Sequence, residues 1–322
     1  MEEFCINNRT VIPQYHDRKV PAARNASNMT PQSPRWITAA RLLKRGPAHP
    51  ETKRYNQHHS SANQLPLNPI LHPPTMSTDP VKLLQSNNDG PPATRPDSQI
   101  DQAVAVKYWS DKPATVNGML GGYAQVSRTD LRGSRNFLAK ARRLVPGCPV
   151  TGKLKRGVDC GAGIGRVIND FLGQECEIVD AVEPVEKFSR VLSERRLTRN
   201  CALGEVLTIG IEDWVPGVKV YDLIWAQWSV PYLTDAQLVE YLVRCRGALT
   251  DVGLMVIKEN ISEEPEGDIY DESESSVTRT DEKLRRLFKE AGMQLILSEV
   301  QSGFPRQLRL LPVISYALRP RI

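Results

Sequence analysis

GVDCGAGIGRVINDFLG, residues 157–173, decides the fold. Its first five residues, GVDCG (157–161), read as a short buried strand, and its last ten, IGRVINDFLG (164–173), as a helix. Glycines at 161, 163 and 165 lie where one becomes the other. Glycine lets a backbone turn sharply and approach a ligand without interference from a Cβ. The spacing is G-x-G-x-G, and Arg166 stands where a dinucleotide fingerprint would need another glycine. Taken alone, such a turn also serves as a plain tight connection.

The alternation continues outward. EIVDAVEP (177–184) is a second strand, followed by a helix VEKFSRVLSERR (185–196). VYDLIWAQ (220–227) is a third strand, and DAQLVEYLVRCRGAL (235–249) carries an i, i+3, i+4 stripe capped by Thr234 or Asp235. GLMVIKEN (253–260) is a fourth strand. TDEKLRRLFKEAGM (280–293) starts at a capping Thr280 and stops at Gly292, as helices do. LILSEV (295–300) and ISYAL (314–318) are the last strands. Strands separated by helices of this length require crossovers, so the class is α/β: a mostly parallel sheet with helices on both faces. Ligands of such sheets bind beyond the carboxyl ends of the strands, where the strand order reverses.

The first third of the chain reads differently. Stretches such as SSANQLPLNP and SNNDGPPATRPDS hold no sustained period, and a segment this polar cannot bury enough apolar surface to offset its ordering entropy. Residues 1–100 are therefore predicted to be a mostly disordered extension, with a short helix at 35–45, and residues 101–322 to be one folded domain. The net charge of +5 belongs to the extension. Residues 1–75 carry ten Lys/Arg against four Asp/Glu, and the remainder 32 against 33. A near-neutral folded part argues against nucleic acid as its partner. No apolar run approaches the roughly 20 residues that span a bilayer, and the N-terminus lacks a signal-peptide pattern. Six scattered cysteines without a C-x-x-C pair suit a reducing compartment, cytoplasmic or nuclear, and argue against a zinc site.

The strand ends carry the chemistry. Glu183 ends the second strand, where a carboxylate can hold both hydroxyls of a ribose or cap the following helix at Pro184. GIEDW (210–214) offers Asp213 near an adenine edge. IWAQWSVPYL (224–233) places two indoles, an amide and Tyr232 where an apolar run ends. A glycine turn followed by two spaced acids points to a nucleoside ligand, and no G-K-[ST] exists for a triphosphate.

This order resembles the class I S-adenosylmethionine-dependent methyltransferases, which implies a Rossmann-like seven-stranded sheet whose last strand is antiparallel. KYWSDKPATVNGMLGGY (107–123), VDCGAGIGR (158–166), YDLIWAQWSVPYLTD (221–235), VIKEN (256–260) and the acids before SSVTR (275–279) narrow the resemblance. They are similar to the protein α-N-terminal methyltransferases, which act on N-termini of the Xaa-Pro-Lys type, and the similarity covers residues 101–322. It implies a cofactor site of Gly161, Gly163, Arg166 for the methionine carboxylate, Glu183 and Pro184 at the ribose, Ile211 and Glu212 at the adenine, and Gln227 over the cofactor. The alternative for Gln227 is a buried amide tying strand to loop. It implies a peptide site in which Trp228 stacks on the substrate Pro, a flat apolar ring that an indole can bury. Tyr108 and Trp109 would close over the peptide, Leu120 and Gly121 line its path, and Asn260 bind its first residue. Asp271, with Glu272, Glu274 and Ser276 around it, would face the substrate Lys. Trp225 is assigned to the core.

Two positions depart from the family pattern. Its Asp and His for proton removal read here as Glu274 and Tyr232, and Pro231 replaces a Gly. An α-amine has a pKa of about 8 and must lose a proton before it attacks. Glu274 can accept that proton; Tyr232, with a pKa near 10, serves as a hydrogen-bond partner. The expected function is methylation of protein α-amines beginning Xaa-Pro-Lys/Arg, with S-adenosyl-L-methionine as cofactor. The alternatives are a small-molecule N-methyltransferase on the same sheet and a catalytically weak N-terminus-binding protein. Oligomeric state is not legible.

Overall fold

Seven of the strands make one sheet, and its topology follows from where each crossover returns. The computed structural model describes residues 95–195 and 201–321. The sheet strands are β1 (Leu154–Cys160), β2 (Cys176–Val182), β3 (Ala202–Leu207), β4 (Tyr221–Gln227), β5 (Leu249–Asn260), β8 (Met293–Val300) and β9 (Val313–Pro320); β6 (Ile269–Asp271) and β7 (Ser276–Thr278) pair apart from it as a hairpin. The order is β3-β2-β1-β4-β5-β9-β8, with β9 antiparallel to both its neighbours. The order reverses between β1 and β4, so Cys160 and Gln227 end at the crevice where a ligand belongs.

The helices are α1 (Gln102–Ser110), α2 (Val116–Met119), α3 (Ser127–Arg143), a π-helical turn Ile168–Leu172 running into α4 (Gly173–Glu175), α5 (Glu186–Ser193), α6 (Asp235–Ala248) and α7 (Asp281–Glu290). Thr234, not Asp235, is the N-cap of α6: its hydroxyl accepts from Gln237 N–H, and the Gln237 side chain returns to Thr234 N–H. Thr280 caps α7 through Lys283 N–H. β4 shows why the sheet needs helices on both faces, since all seven of its residues are buried. Leu223 and Trp225 join the core under α3, and Ile224 and Ala226 join the core under α6 and α7. Trp225 is a core residue, fully buried with its ring 4.8 Å from that of Phe171.

The structure adds elements that the sequence reading did not contain: α1, α3, the edge strand β3 and the hairpin β6–β7. The acidic stretch at 271–274 is the tip of that hairpin rather than a free loop. Residues 95–100, placed with the extension, hold a 3-10 turn Pro96–Gln99 whose buried Asp97 accepts from Asp235 N–H at 3.0 Å. The helix expected at 35–45 lies outside the described residues. Among the described residues no helix is long and apolar enough to cross a membrane.

Candidate active site

A single cleft of about 1250 Å³, open mouth included, lies over the carboxyl ends of β1, β2 and β4. Gly161, Gly163, Arg166, Glu183, Pro184, Ile211, Glu212, Gln227, Trp228, Tyr232, Asn260, Glu274, Ser276 and Trp109 all line it, although they come from points up to 167 residues apart along the chain. Five expected residues do not, Glu272 at the exposed hairpin tip among them. Leu120 lines a second, smaller cavity with Phe304, Leu310 and Leu311, and Trp228 and Asn260 line both cavities. Gly121 lines neither, and turns the chain after Leu120 with φ 55°. Tyr108 is not a lining residue, but its hydroxyl bonds Glu274 and its ring packs edge-on against Trp109, and both of those line the cleft. Asp271 shapes the hairpin tip, its Oδ1 accepting from Ser273 and Glu274 N–H. Asp213 is corrected as well, because the chain meets the cleft through Gly210, Ile211 and Glu212 instead.

The glycine turn packs too closely against its neighbours to take side chains. Gly161 and Gly163 have φ of 82° and 54°, which L-residues seldom adopt. A Cβ on Gly161 would fall 2.5 Å from Ser229 Cβ, and one on Gly163 would fall 2.8 Å from Met119 Sδ. Glu183 holds the turn in place. Its Oε2 accepts from Gly163 N–H at 2.7 Å and its Oε1 from Val185 N–H at 2.8 Å. These bonds tie the strand end to the turn rather than cap α5, whose N-cap Val185 has no side-chain cap bond, and Glu183 lines the cleft.

Arg166 and Gln227 converge on a residue the sequence reading missed. Asp130 of α3 accepts from Arg166 Nη1 at 2.8 Å and from Gln227 Nε2 at 2.9 Å. Gln227 Oε1 also accepts from Trp225 Nε1 at 3.2 Å, so this amide does tie strand to helix while lining the cleft. The Arg166 guanidinium sits 5.6 Å from the Trp228 ring centroid. Trp228 itself adopts φ 56°, a strained conformation for a bulky residue. Glu259 holds the turn after it, its Oε1 accepting from Ser229 and Val230 N–H at 2.9 and 3.2 Å. Its Oε2 and the Ser229 Oγ are buried without partners, and both residues line the cleft.

At the other end of the cleft, Glu274 is 1% exposed and takes a hydroxyl on each oxygen. Tyr108 OH donates to Oε1 at 2.9 Å and Tyr232 OH to Oε2 at 3.2 Å, while Trp109 Nε1 donates to Tyr232 OH at 2.8 Å. Burial pushes Glu274 up to about 8, against the two tyrosine bonds that pull it down. Burial, then the Glu274 charge, raises Tyr232 well above its ordinary value, so it keeps its proton and donates.

Burial also pushes Asp159 and Glu183 up to about 7 and Glu259 to about 8. These acids, with Glu274, hold protons more tightly folded than unfolded. Their contribution to stability is complete below the unfolded carboxylate value near 4 and is lost as pH rises toward 7–8. The ligand-free protein is therefore expected to melt at lower temperature at pH 8 than at pH 6, with at least the slope of one proton, about 1.4 kcal/mol per pH unit. A thermal shift series in that window tests it, and a melting temperature that climbs with pH would contradict it.

Known proteins resemble the chain over the same residues. A family model described as AdoMet dependent proline di-methyltransferase matches residues 97–319. The alpha N-terminal protein methyltransferase 1 of Schizosaccharomyces pombe is 39% identical over 220 residues, 67% of this chain and 94% of its own. The human N-terminal Xaa-Pro-Lys N-methyltransferase 1 is 38% identical over 220 residues, 67% of this chain and 93% of its own. A solved SAM-dependent methyltransferase from Leishmania major superposes with a TM-score of 0.61 at 34% identity, covering 71% of this chain and 85% of that one.

Proposed function

The chain belongs to the AdoMet-dependent proline di-methyltransferase family, and from that premise we propose that it methylates the α-amine of proteins whose N-termini begin Xaa-Pro-Lys or Xaa-Pro-Arg. The observation that carries this reading is Glu274, suspended between the Tyr108 and Tyr232 hydroxyls on the wall that Trp228 and Asn260 also line. S-adenosylmethionine, when bound, supplies an electrophilic methyl carbon on a sulfonium. The bare backbone of Gly161 and Gly163 and the Glu183 carboxyl, which line the cleft together, fit a nucleoside brought close to the strand ends.

Arg166 binds its carboxylate, Glu183 its ribose hydroxyls, and Ile211 and Glu212 flank its adenine. Trp228 presents an indole to the substrate Pro, and Asn260 holds the backbone of the first residue. Glu274 removes the proton. Its value of about 8 matches that of an α-ammonium, about 8, so transfer to a Glu274 oxygen is close to thermoneutral, where general bases work best. Tyr232 cannot take that proton; it orients the Glu274 carboxylate through Oε2. Asp271, whose Oδ2 makes no bond among the described residues, and Ser276 receive the substrate Lys. The described cysteines are all free thiols, in keeping with a cytoplasmic or nuclear setting.

The test is a peptide beginning Ser-Pro-Lys incubated with the full chain and S-adenosylmethionine and read by mass spectrometry. Added methyls on the free peptide, and none on its N-acetylated copy, are the expected result. Cofactor binding with no methyl transferred would favour an N-terminus-binding protein instead. Transfer to the acetylated copy would place the methyl on the Lys side chain.

A further inference from the structure

Neither Asp130 nor Lys258 lines the cleft, yet both are fully buried and charged inside the protein. Asp130 Oδ1 accepts from Lys258 Nζ at 2.6 Å and from Gln227 Nε2 at 2.9 Å, and Oδ2 accepts from Arg166 Nη1 at 2.8 Å. Lys258 Nζ also donates to Ser134 Oγ at 3.0 Å and to Gln301 Oε1 at 2.8 Å. Gln301 N–H donates to Val313 O at 2.7 Å, closing the base of the 302–312 loop. That loop carries Phe304, Leu310 and Leu311 to the second cavity, whose other wall includes Trp228 and Asn260.

A buried ion pair is a costly way to hold a fold together, because desolvation offsets most of its attraction and an apolar pair of similar volume is often as stable. The network does have a geometric product. One carboxylate aims two residues of the cofactor side, Arg166 and Gln227, and through one ammonium it fixes the loop of the peptide side. Helix α3 is shaped for this contact. Gly133 sits in its middle, where Ala would be better by about 1 kcal/mol, and a Cβ there would fall 2.1 Å from Gln301 Oε1. The electrostatics of the pair are lopsided, because burial outweighs Asp130 and holds Lys258 below its ordinary value. Burial alone would raise Asp130, but Lys258 and Arg166 outweigh it and hold the carboxyl below its ordinary value.

We propose that Asp130 and Lys258 form a positioning pair shared by both substrates, Asp130 aiming Arg166 and Gln227 at the cofactor and Lys258 anchoring the peptide-side loop through Gln301. This rests on the peptide reading above for its second half only.

Two substitutions in the full chain separate the halves. Asp130→Asn is expected to weaken S-adenosylhomocysteine binding by calorimetry at least tenfold, with kcat at saturating cofactor and peptide kept within about threefold. Gly133→Ala leaves Asp130, Lys258 and Arg166 untouched, relieves a helix defect and displaces the Gln301 amide. It is expected to raise the KM for a Ser-Pro-Lys peptide about three- to tenfold, leave S-adenosylhomocysteine affinity within twofold, and not lower the melting temperature. Lys140→Ala, at an exposed ion pair on the same helix, is the control expected to change neither.

Unchanged cofactor affinity in a folded Asp130→Asn protein would overturn the cofactor half. Should that variant not fold, Gly133→Ala decides: a peptide KM equal to wild type overturns the shared role. A wild-type protein that ignores the peptide but binds S-adenosylhomocysteine would sink the proposed function, and the calorimetric arm would still judge Asp130.

Discussion

Glu274→Gln is expected to lower kcat/KM for a free Xaa-Pro-Lys peptide by about 10²–10⁴, the usual contribution of a positioned general base, while S-adenosylhomocysteine binds as in wild type. The amide fills the same space and still accepts from one tyrosine, so the fold loses little. What it loses is the proton acceptor. The pH profile supplies an independent check. Burial puts Glu274 at about 8, so wild-type kcat/KM climbs with pH as the carboxyl ionises toward that value. The Gln protein still climbs as the peptide amine, itself at about 8, loses its proton, so its deficit narrows above pH 8, but it lacks the Glu274 limb. A Tyr232→Phe protein is expected to keep it with a shifted midpoint, because the phenol tunes the carboxylate without taking the proton. A wild-type profile flat from pH 6 to pH 9, together with an active Gln variant, would remove Glu274 from the chemistry.

Trp228 carries the second large effect. Truncation to Ala is expected to raise the peptide KM by roughly 10–100-fold, the scale of losing one stacked, partly buried indole, with much less change in cofactor affinity. The backbone adds a sharper comparison. At φ 56° alanine is strained and glycine is not. Trp228→Gly should therefore be the more stable of the two by about 1 kcal/mol, although equally poor with peptide. Peptide kinetics and thermal melts on the pair decide it. An Ala variant more stable than the Gly variant, or a peptide KM unchanged in both, would count against this role.

How much of this was legible depended on how local each signal is. The glycine turn, Glu183, Gln227 and Trp228 stand at strand ends inside apolar runs, so short-range pattern exposes them, and the reversal point of the sheet then gathers them. Glu274 was found by resemblance, but its two tyrosine partners come from α1 and the β4–α6 loop, and no spacing announces them. Asp130 escaped because SRTDLRGSR reads as a charged helix face, and only the fold turns that carboxylate inward. A usable signal was present for Lys258 and Glu259. Two charges at the end of a strand buried almost throughout demand partners. The edge strand β3 was lost for a different reason: ALGEVL is half-exposed along its length and carries a glycine, so its alternation is faint. Helix α3 did show Leu131, Ser134, Leu138 and Ala141 on one face, a helical period interrupted by the charges around it.

The hairpin β6–β7 deserves a last consideration, for heredity rather than chemistry. Glu274 rides at its tip, outside the seven-stranded sheet, and the tip is fastened to the start of α1 by Asp101 N–H donating to Ser275 Oγ at 2.7 Å. Substitutions at the tip would alter the proposed base while leaving the pairing of the seven-stranded sheet in place. Lineages can therefore drift at this tip, lengthening an acid here or exchanging a neighbour there, without passing through unfolded ancestors.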